Sequence, residues 1–418
     1  MEINLGFGQG QQLVRIPELN VGEVILPSKI ETDLTEEEII ISALEKPIGA
    51  GRISEIIKPD DTVVIITSDI TRPMPSYKVL PSLIMELNRV GVEDIDITIV
   101  FGLGSHRKQT DVEKRKLVGD EIFNRITCVD SDPDDVVSLG VTSRGTPVDI
   151  FRSVVEADKR ICLGNIEYHY FAGYSGGYKA IMPGVSTFPA IQKNHSHMVK
   201  DGASAGNLAD NPVRDDIEEV GDFIKIDFLY NVVLDQHKNI AGAFAGDPVA
   251  AHREGCKFLG RLYGRSIAGR ADIVIVSAGG YPKDINLYQA QKALDNAKYA
   301  VNPGGIIILV AACTEGLGGE SFEKWMIEFE KPEYMVEEIQ RNFILGGHKA
   351  AAIGLILKNA DIYLVSDMAP SFVENIFMKP FSDSQQALNE ALMRKDKDAI
   401  VHVMPYGGSI LPTVFDNS

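Results

Sequence analysis

Residues 61–101 read DTVVIITSDITRPMPSYKVLPSLIMELNRVGVEDIDITIVF, and this segment carries the clearest signal of the fold class. It contains two apolar runs, 61–67 and 95–101, with a helical pattern at 79–90 between them. Continuous apolar strands are typical of parallel sheets that are covered on both faces and joined by right-handed crossovers. The sequence therefore predicts an α/β fold with mainly parallel sheets flanked by helices. The same alternation recurs in the apolar runs 160–164, 273–277, 305–311, 362–366 and 399–403, and in the helical patterns 285–301, 335–343 and 383–393.

The length of the chain, 418 residues, is too great for one ordinary hydrophobic core and predicts two domains. A Gly- and Arg-rich stretch at 260–270 precedes a fresh run of strand–helix alternation. We therefore expect an N-terminal α/β domain of residues 1–265 and a C-terminal α/β domain of residues 266–418. Within the first domain, the N-terminal INLGFG and QQLVRIP runs predict a small hairpin instead of a strand–helix unit.

Acidic residues dominate the charge balance, since 59 Asp and Glu against 41 Lys and Arg give a formal net charge of −18. This balance disfavours nucleic acid and anionic membrane surfaces as partners, but permits a small anionic substrate at a locally basic site. The four cysteines are scattered, which is typical of a reducing compartment and not of a zinc knuckle or a disulfide framework. The N-terminus lacks a signal-sequence pattern, and no apolar run is long enough to span a membrane. We expect a cytoplasmic protein.

The strongest functional signal is residues 164–197, GNIEYHYFAGYSGGYKAIMPGVSTFPAIQKNHSH. This segment combines His169, Lys179 and His195 with a dense glycine run. Glycines allow the backbone to approach a bulky ligand, and those of the GYSGG run are expected to expose backbone N–H groups at a turn. A lysine at such a turn can anchor a phosphate or attack a carbonyl, and histidines can bind metal or move protons. The segment is therefore predicted to form a ligand site.

Two further interpretations of this segment remain open. The GYSGG run also matches the G-x-S-x-G nucleophile elbow of serine hydrolases, with Ser175 as the nucleophile, although the sequence singles out no histidine partner. His195 and His197 could form a metal pair, but residues two apart face opposite ways on a strand and diverge on a helix. We therefore expect at most one of these two histidines to bind a metal.

Two loops that follow predicted strands carry candidate ligand-binding residues. In the SDITRP motif, Arg72 offers a planar fork for a carboxylate or phosphate, and Asp69 and Thr71 can bind a ribose or orient this arginine. The alternative is a turn in which Asp69 and Thr71 cap the following helix. In the GLGSHR motif, His106 follows two glycines at the ligand edge of the sheet, and a solvated loop histidine is the alternative.

A third candidate lies in the C-terminal half, where the GGYPKD motif precedes a helical pattern. Gln289 and Lys292 share a face of the first two helical turns, and Asp284 or Asn286 is the expected N-cap. A glycine turn followed by a basic helix start predicts an anion site. The alternative is a solvated helix face on which Lys292 pairs with Asp295.

Five motifs together carry a family resemblance: SDITRP, GLGSHR, HYFAGYSGGYKAIMPG, NH and YQAQKAL. Their order and spacing resemble those of the nickel-dependent lactate racemase family, from about residue 60 to residue 320. The resemblance implies an isomerase that interconverts D- and L-2-hydroxy acids, either lactate or a related acid. It also implies that the N-terminal domain binds the cofactor and that the active site lies in the cleft between the two domains.

Members of this family carry a nickel-pincer nucleotide, a pyridinium mononucleotide that holds nickel through two thiocarboxylate-type arms and a ring carbon. The resemblance implies that Lys179 tethers this cofactor covalently and that His195 completes the nickel site, in keeping with the preference of nickel for soft and imidazole donors. It also implies that His106 and His169 act as the acid and base. The remaining implied contacts are Asp69, Ile70, Thr71 and Arg72 at the cofactor, and Arg72, Tyr288, Gln289 and Lys292 at the substrate.

The implied reaction moves a hydride from the substrate Cα to the cofactor and back to the opposite face, through a 2-keto acid. One histidine takes the hydroxyl proton as the hydride leaves, and the other serves the opposite face. The implied partners are the small substrate and the enzymes that synthesise the cofactor. One departure from the family is Tyr178, which stands where many members have an arginine. The alternatives are a serine hydrolase that uses Ser175 and a non-catalytic nickel- or nucleotide-binding homologue.

Overall fold

The computed structural model describes residues 1–28 and 32–415 of the chain. The contacts divide it into two compact units. We call them the central unit (Ile30–Leu259) and the terminal unit (Met1–Lys29 with Gly260–Ser418).

The secondary structure alternates between strands and helices along most of the chain. The strands are β1 (Glu2–Phe7), β2 (Gly10–Arg15), β3 (Val21–Val24), β4 (Val63–Ser68), β5 (Ile97–Gly102), β6 (Thr127–Asp130), β7 (Val136–Val141), β8 (Pro147–Phe151), β9 (Lys159–Asn165), β10 (Tyr168–His169), β11 (Gly173–Tyr174), β12 (Phe228–Leu234), β13 (Ile240–Gly246), β14 (Gly264–Ile267), β15 (Ala271–Ser277), β16 (Val301–Val310), β17 (Ala360–Val365), β18 (Lys379–Phe381), β19 (Val401–Met404) and β20 (Leu411–Val414). The helices are α1 (Glu36–Glu45), α2 (Ile53–Ile56), α3 (Ser76–Val90), α4 (Asp111–Val118), α5 (Asp120–Arg125), α6 (Arg152–Glu156), α7 (Phe188–His195), α8 (Pro212–Glu219), α9 (Ala250–Tyr263), α10 (Leu287–Ala297), α11 (Glu320–Glu328), α12 (Pro332–Arg341), α13 (Gly347–Leu357), α14 (Pro370–Asn375) and α15 (Ser384–Arg394).

The central unit is built on a six-stranded sheet in the order β13-β12-β9-β4-β5-β6. All neighbouring strands of this sheet are parallel except β13, which is antiparallel to β12. Side chains of β4 alternate between two cores, with Val63 and Ile65 in one and Val64 and Ile66 in the other. This alternation places a hydrophobic core on each face, which is why the strand is apolar throughout.

The terminal unit is built on a second six-stranded sheet, β18-β17-β16-β15-β19-β3, in which all neighbours are parallel. The hairpin of β1 and β2 packs on this sheet, because Leu5 and Val14 share a core with Ile273 and Ile308. The predicted α/β fold with mainly parallel sheets flanked by helices is therefore confirmed, and so is the N-terminal hairpin.

The structure groups the N-terminal residues differently from the expected continuous domains of 1–265 and 266–418. The hairpin and β3 belong with the C-terminal part of the chain, because Val21 of β3 pairs with Val401 of β19. Pairing between residues so far apart in the chain leaves no mark on local sequence patterns, so the sequence could not show it.

Three strands of the central sheet direct their following segments to one edge. Strands β9, β4 and β5 are parallel neighbours, and Ser68 at the end of β4 lies opposite Gly102 at the end of β5. The segments with Asp69, His106 and His169 begin at these strand ends. In the part of the chain that the structure describes, no helix has both the length and the apolar character needed to cross a bilayer.

Candidate functional site

The SDITRP motif forms a turn that the buried side chain of Asp69 holds together. Its Oδ1 accepts hydrogen bonds from the Thr71 amide at 2.9 Å and the Thr71 hydroxyl at 2.6 Å. The Ile70 amide donates to Gln109 Oε1 at 2.8 Å, and the Arg72 amide donates to the Asp69 carbonyl. The alternative in which Asp69 and Thr71 cap the next helix is wrong, because helix α3 begins after Pro75 with no side-chain cap. The turn leaves Arg72 exposed.

Asp69 also orients His106, a role that the sequence did not predict for it. Asp69 Oδ2 lies 2.5 Å from His106 Nδ1, and the Thr71 hydroxyl lies 3.3 Å from the same nitrogen. Burial by itself raises the pKa of Asp69, but the hydrogen bond and charge of His106, with smaller contributions from Thr71 and Arg72, outweigh it and lower this pKa. An ionised Asp69 accepts the Nδ1 proton, which leaves Nε2 as the basic nitrogen of His106. The half-exposed ring is thus oriented, unlike a simple solvated loop histidine.

His169 lies in the short β10–β11 hairpin, in a less polar environment than His106. Its Nδ1 accepts a hydrogen bond from the Ala172 amide at 3.3 Å, and its ring packs against the rings of Tyr170 and Phe171. Burial, and then the nearby charges of Lys179, His195 and two arginines, lower the pKa of His169 well below its usual value. His169 is therefore neutral at pH 7, and exchange of a proton with a ligand would use Nε2.

Lys179 lies in a short 3-10 turn (Gly177–Ala180) that follows the glycine run. Burial, and then the charges of Arg214 and Arg72, lower the pKa of this lysine well below its usual value. A desolvated, neutral amine is a nucleophile, whereas an ammonium group is not. The surroundings of Lys179 therefore suit attack on a carbonyl better than anchoring of a phosphate.

His195 is the last residue of α7 and its side chain is buried. The ring of Phe171 lies between the two histidines of this segment, with its centroid 4.9 Å from that of His195 and 4.5 Å from that of His169. His197 lies in the following 3-10 turn (Ser196–Val199) and is also buried, which lowers its pKa. Since His195 alone of the pair packs against Phe171, it is the better candidate for a metal ligand beside His169.

The glycine run does not have the role that the sequence suggested. We expected its glycines to expose N–H groups to a ligand, but the Gly177 amide donates to the Asn231 side chain at 2.9 Å. A Cβ on Gly173 would lie 2.0 Å from the Asn207 carbonyl oxygen, and a Cβ on Gly176 would lie 2.5 Å from Asn231 Oδ1. The expectation of an open N–H turn is wrong, because these glycines let the loop pack closely on its own unit.

Ser175 is likewise structural. Its hydroxyl donates to the Asn165 carbonyl at 2.7 Å and accepts the Glu167 amide at 2.8 Å. A serine nucleophile needs its hydroxyl bonded to a general base, and here the hydroxyl joins two backbone groups near the end of β9. The nucleophile-elbow interpretation and the serine hydrolase alternative are therefore wrong.

Tyr178, the departure from the family pattern, points into the core beside Lys179. Its phenol oxygen accepts a backbone hydrogen bond from Ile226, and burial raises its pKa to about 12. A Cβ on Gly221 would lie 2.6 Å from this oxygen, so Gly221 leaves the space that the phenol fills. Tyr178 therefore packs and does not contribute a polar group next to the lysine.

The predicted substrate residues Tyr288, Gln289 and Lys292 lie on the first two turns of α10, in the terminal unit. Asn286 is the N-cap, since its side chain accepts from the Gln289 amide at 3.0 Å. Gln289 and Lys292 are exposed, and Tyr288 is half-buried. Asp295 pairs with Lys298 at 2.7 Å through Oδ1, and a pairing of Lys292 with Asp295 stays a prediction.

The glycine turn before α10 packs against the N-terminal hairpin. The Tyr281 amide donates to the Gly8 carbonyl at 2.8 Å, and the Gly8 amide donates to the buried Asp284 side chain at 2.7 Å. A Cβ on Gly6 would lie 2.8 Å from the Gly279 carbonyl carbon. The GGYPKD turn therefore uses its glycines for close packing of the hairpin, which the sequence interpretation as an anion-binding turn did not foresee.

Helix α8 holds the site together, and the sequence reasoning missed it. Asn211 caps α8 and donates to the Phe171 carbonyl, whereas Asp216 in the same helix accepts from the side chain of Asn194, the neighbour of His195. The Asn-Pro pair that begins the helix was a readable start signal. Nothing in the local sequence indicated that its buried face would hold both segments of the site.

Comparison with known proteins decides the family. Residues 7–206 match the lactate racemase N-terminal domain, and residues 267–411 match the lactate racemase C-terminal domain. The chain belongs to the lactate racemase family. It is 33% identical over 422 residues to the lactate racemase of Thermoanaerobacterium thermosaccharolyticum, with 98% of each chain covered. It is 34% identical over 388 residues to the lactate racemase of Lactiplantibacillus plantarum, with 90% of this chain and 91% of the relative covered.

Solved structures agree with this membership of the lactate racemase family. The structure of the lactate racemase apoprotein from T. thermosaccharolyticum superposes with a TM-score of 0.93 at 32% identity and covers all of both chains. A protein from Thermotoga maritima shares the fold at 18% identity, with a TM-score of 0.69 and coverage of 93% of this chain and 100% of its own. The resemblance identified from the five motifs is confirmed.

Proposed function

We propose that this protein is a racemase of 2-hydroxy acids, either lactate or a related acid, that works by hydride transfer with a nickel-pincer nucleotide. Membership of the lactate racemase family supports racemisation. The observation that carries the proposal is a pair of histidines in two different environments. His106 is hydrogen-bonded to the Asp69 carboxylate, whereas burial and nearby positive charges, including Lys179, lower the pKa of His169. We further propose that it acts in the cytoplasm and receives its cofactor from dedicated synthesis enzymes.

The residues around Lys179 fit a covalently held cofactor. Burial lowers the pKa of its amine, which would favour nucleophilic attack by Lys179 on the carbonyl-type carbon of a cofactor arm. The buried imidazole of His195 supplies a nitrogen ligand, and the described residues contain no cluster of three His, Cys, Asp or Glu side chains that could hold a metal by themselves. A metal at this site therefore takes most of its ligands from the cofactor. When bound, the cofactor supplies the hydride acceptor, which avoids deprotonation of the weakly acidic Cα–H beside a carboxylate.

The two histidines supply the proton transfers. His106 takes the hydroxyl proton at Nε2 as the substrate is oxidised, and the charge of Asp69 stabilises the imidazolium that forms. His169 serves the opposite face of the substrate, because each enantiomer presents its hydroxyl group from a different side. The Ala172 amide bonded to Nδ1 fixes the ring so that Nε2 is the nitrogen that exchanges the proton.

In this proposal the substrate carboxylate is bound by charged and polar side chains. Arg72 follows the Asp69 turn and offers two parallel N–H groups to a carboxylate. Tyr288, Gln289 and Lys292 supply a hydroxyl, an amide and an ammonium group from the start of α10. A fixed carboxylate lets only the reacting end of the keto intermediate rotate between the two transfers.

Chiral analysis of a panel of 2-hydroxy acids tests the function. The protein is produced with the cofactor-synthesis enzymes, and intact mass establishes the adduct on Lys179 before lactate, 2-hydroxybutyrate, malate, phenyllactate and gluconate are tested. We expect racemisation of at least one acid by loaded protein and none by protein made without these enzymes. Loaded protein that racemises no acid of the panel would instead identify a non-catalytic homologue.

A further inference from the structure

Arg214 of α8 is fully buried and bonded to the backbone between the two functional residues His169 and Lys179. Its Nε donates to the Ala172 carbonyl at 3.2 Å, its Nη1 to the Gly176 carbonyl at 3.4 Å, and its Nη2 to the Tyr174 carbonyl. One guanidinium group therefore binds three carbonyls within five residues of chain. The planar fork of arginine can make such a set of bonds, and no other side chain has as many donors in fixed geometry.

Two other buried side chains complete this arrangement around the loop. His252 of α9 donates from Nε2 to the Ser175 carbonyl at 2.8 Å, and the Asn211 side chain donates to the Phe171 carbonyl at 2.9 Å. Five of the six carbonyls from residue 171 to residue 176 thus accept a hydrogen bond from a buried side chain. Carbonyls that are bound in this way cannot rotate without leaving a buried donor unpaired.

Among the residues that the structure describes, no carboxylate lies close enough to Arg214 to explain its charge as a short ion pair. The nearest one, Glu218, lies 3.9 Å from Nη1 and is itself bonded to Arg253 at 2.7 Å. Burial lowers the pKa of Arg214 to about 10, so the group stays charged at neutral pH. Burying a charge costs folding free energy that an apolar side chain in the same space would not cost. This cost indicates that the contacts of Arg214 with the loop have a role that an apolar residue could not fill.

We propose that Arg214 is a positioning residue: it fixes the backbone from Ala172 to Gly176 and so sets the relative placement of His169 and Lys179. The roles of His169 and Lys179 rest on the proposed function, whereas the hold on the loop does not. An error of about 1 Å in the placement of reacting groups can cost about 100-fold in rate. Arg214 acts only through this loop and is not proposed to touch the substrate.

The chain offers a matched control in Arg160, near the start of β9. Its guanidinium donates to four carbonyls, those of Ala157 at 2.6 Å, Lys225 at 2.8 Å, Asp158 at 3.2 Å and Val154 at 3.5 Å. It lies at the opposite end of β9 from the loop. A general loss of stability should therefore affect both variants, but an effect on the site should affect only the Arg214 variant.

The test compares Arg214→Ala and Arg160→Ala by thermal unfolding, by hydrogen exchange of the 172–177 amides, and by the kcat and KM of protein with a known Lys179 adduct content. For Arg214→Ala we expect faster exchange in this segment and a kcat about 100-fold lower per adduct, with KM changed less than about threefold. Guanidinium ion at low concentration should restore part of the kcat lost in Arg214→Ala, because it can occupy the space of the missing side-chain group. Arg160→Ala should leave the hydrogen-exchange rates of residues 172–177 and the kcat at their wild-type values. If Arg214→Ala does not fold, the same measurements are made on Arg214→Lys, which keeps the positive charge but lacks the planar set of guanidinium N–H donors.

Three results would overturn the role of Arg214: unchanged exchange in residues 172–177, an unchanged kcat, or an equal loss of kcat in Arg160→Ala. Failure of the proposed function is a separate outcome, because wild-type protein would then carry no adduct or show no racemisation. The exchange experiment on cofactor-free protein reports on the loop in either case.

Discussion

Asp69 and His106 follow two neighbouring parallel strands, β4 and β5. A hydrogen bond of 2.5 Å joins Oδ2 of Asp69 to Nδ1 of His106. The buried carboxylate thereby determines which nitrogen of His106 is basic. The parallel register of the two strands creates this contact between residues that are far apart in the chain.

Asp69→Asn should lower kcat by about 10²- to 10⁴-fold, because it removes the charge that stabilises protonated His106. The asparagine oxygen can still accept the two Thr71 hydrogen bonds, so the turn should persist. Steady-state kinetics of Asp69→Asn, His106→Gln and the double variant measure this effect. If the two residues act as a unit, kcat of the double variant should be little lower than that of the more severe single variant. Additive losses of activation free energy in the double variant would contradict this shared role.

Lys179→Met should stabilise the cofactor-free protein at neutral pH. Because folding lowers the pKa of Lys179 from 10.5, the unfolded chain binds a proton that the folded chain does not, and stability falls as pH falls below this value. We therefore expect the variant to have a higher unfolding free energy than the wild type at pH 7, because the folded variant no longer buries an amine that the unfolded chain protonates. The gain should shrink towards pH 10 in denaturant titrations. Exposed Lys200 provides the control, and an equal gain for Lys200→Met would refute the explanation.

Ser175→Ala should retain racemase activity but lose stability. Its hydroxyl makes two backbone hydrogen bonds, so we expect a loss of about 1–3 kcal/mol in unfolding free energy. Chemical denaturation and kcat of protein loaded to the same adduct content separate the two effects. A variant that folds and carries the adduct but has no activity would return Ser175 to the mechanism.

Tyr178→Phe should leave cofactor attachment at Lys179 unchanged. The variant loses one buried hydrogen bond, from the Ile226 amide, and keeps the packing of the ring, so we expect a loss of about 1 kcal/mol. Intact mass of the loaded protein measures the adduct. A large decrease in adduct, with the fold intact, would mean that Tyr178 contacts the cofactor after all.

The sequence predicted the parts of the fold that local patterns determine. Helix α3 extends over Ser76–Val90 where a helix at 79–90 was predicted, and β4 covers Val63–Ser68 where a strand at 61–67 was predicted. A buried strand and an amphipathic helix have characteristic periods, and both can be recognised within a short window. The ends shift by a few residues because capping and pairing with other segments determine where each element stops.

Other features depend on contacts that no short window contains. The GYSGG glycines looked like an open turn, but the fold places Asn207 and Asn231 against them. The motif alone predicts a contact of Asp69 with a ribose or with Arg72, and the parallel pairing of β4 with β5 also brings Asp69 to His106. The buried Arg214 lies in an acidic helix segment, PVRDDIEE, and no local pattern distinguishes it from an exposed arginine.

The origin of the hydrogen at C2 of the product distinguishes hydride transfer from proton abstraction. Protein that carries the Lys179 adduct is given one enantiomer of lactate in deuterium oxide, and the opposite enantiomer is isolated after a few per cent conversion. Hydride transfer predicts that this product retains protium at C2, because the same hydrogen leaves and returns without exchange with solvent. Product that carries deuterium at C2 would show proton abstraction by a base and would contradict hydride transfer.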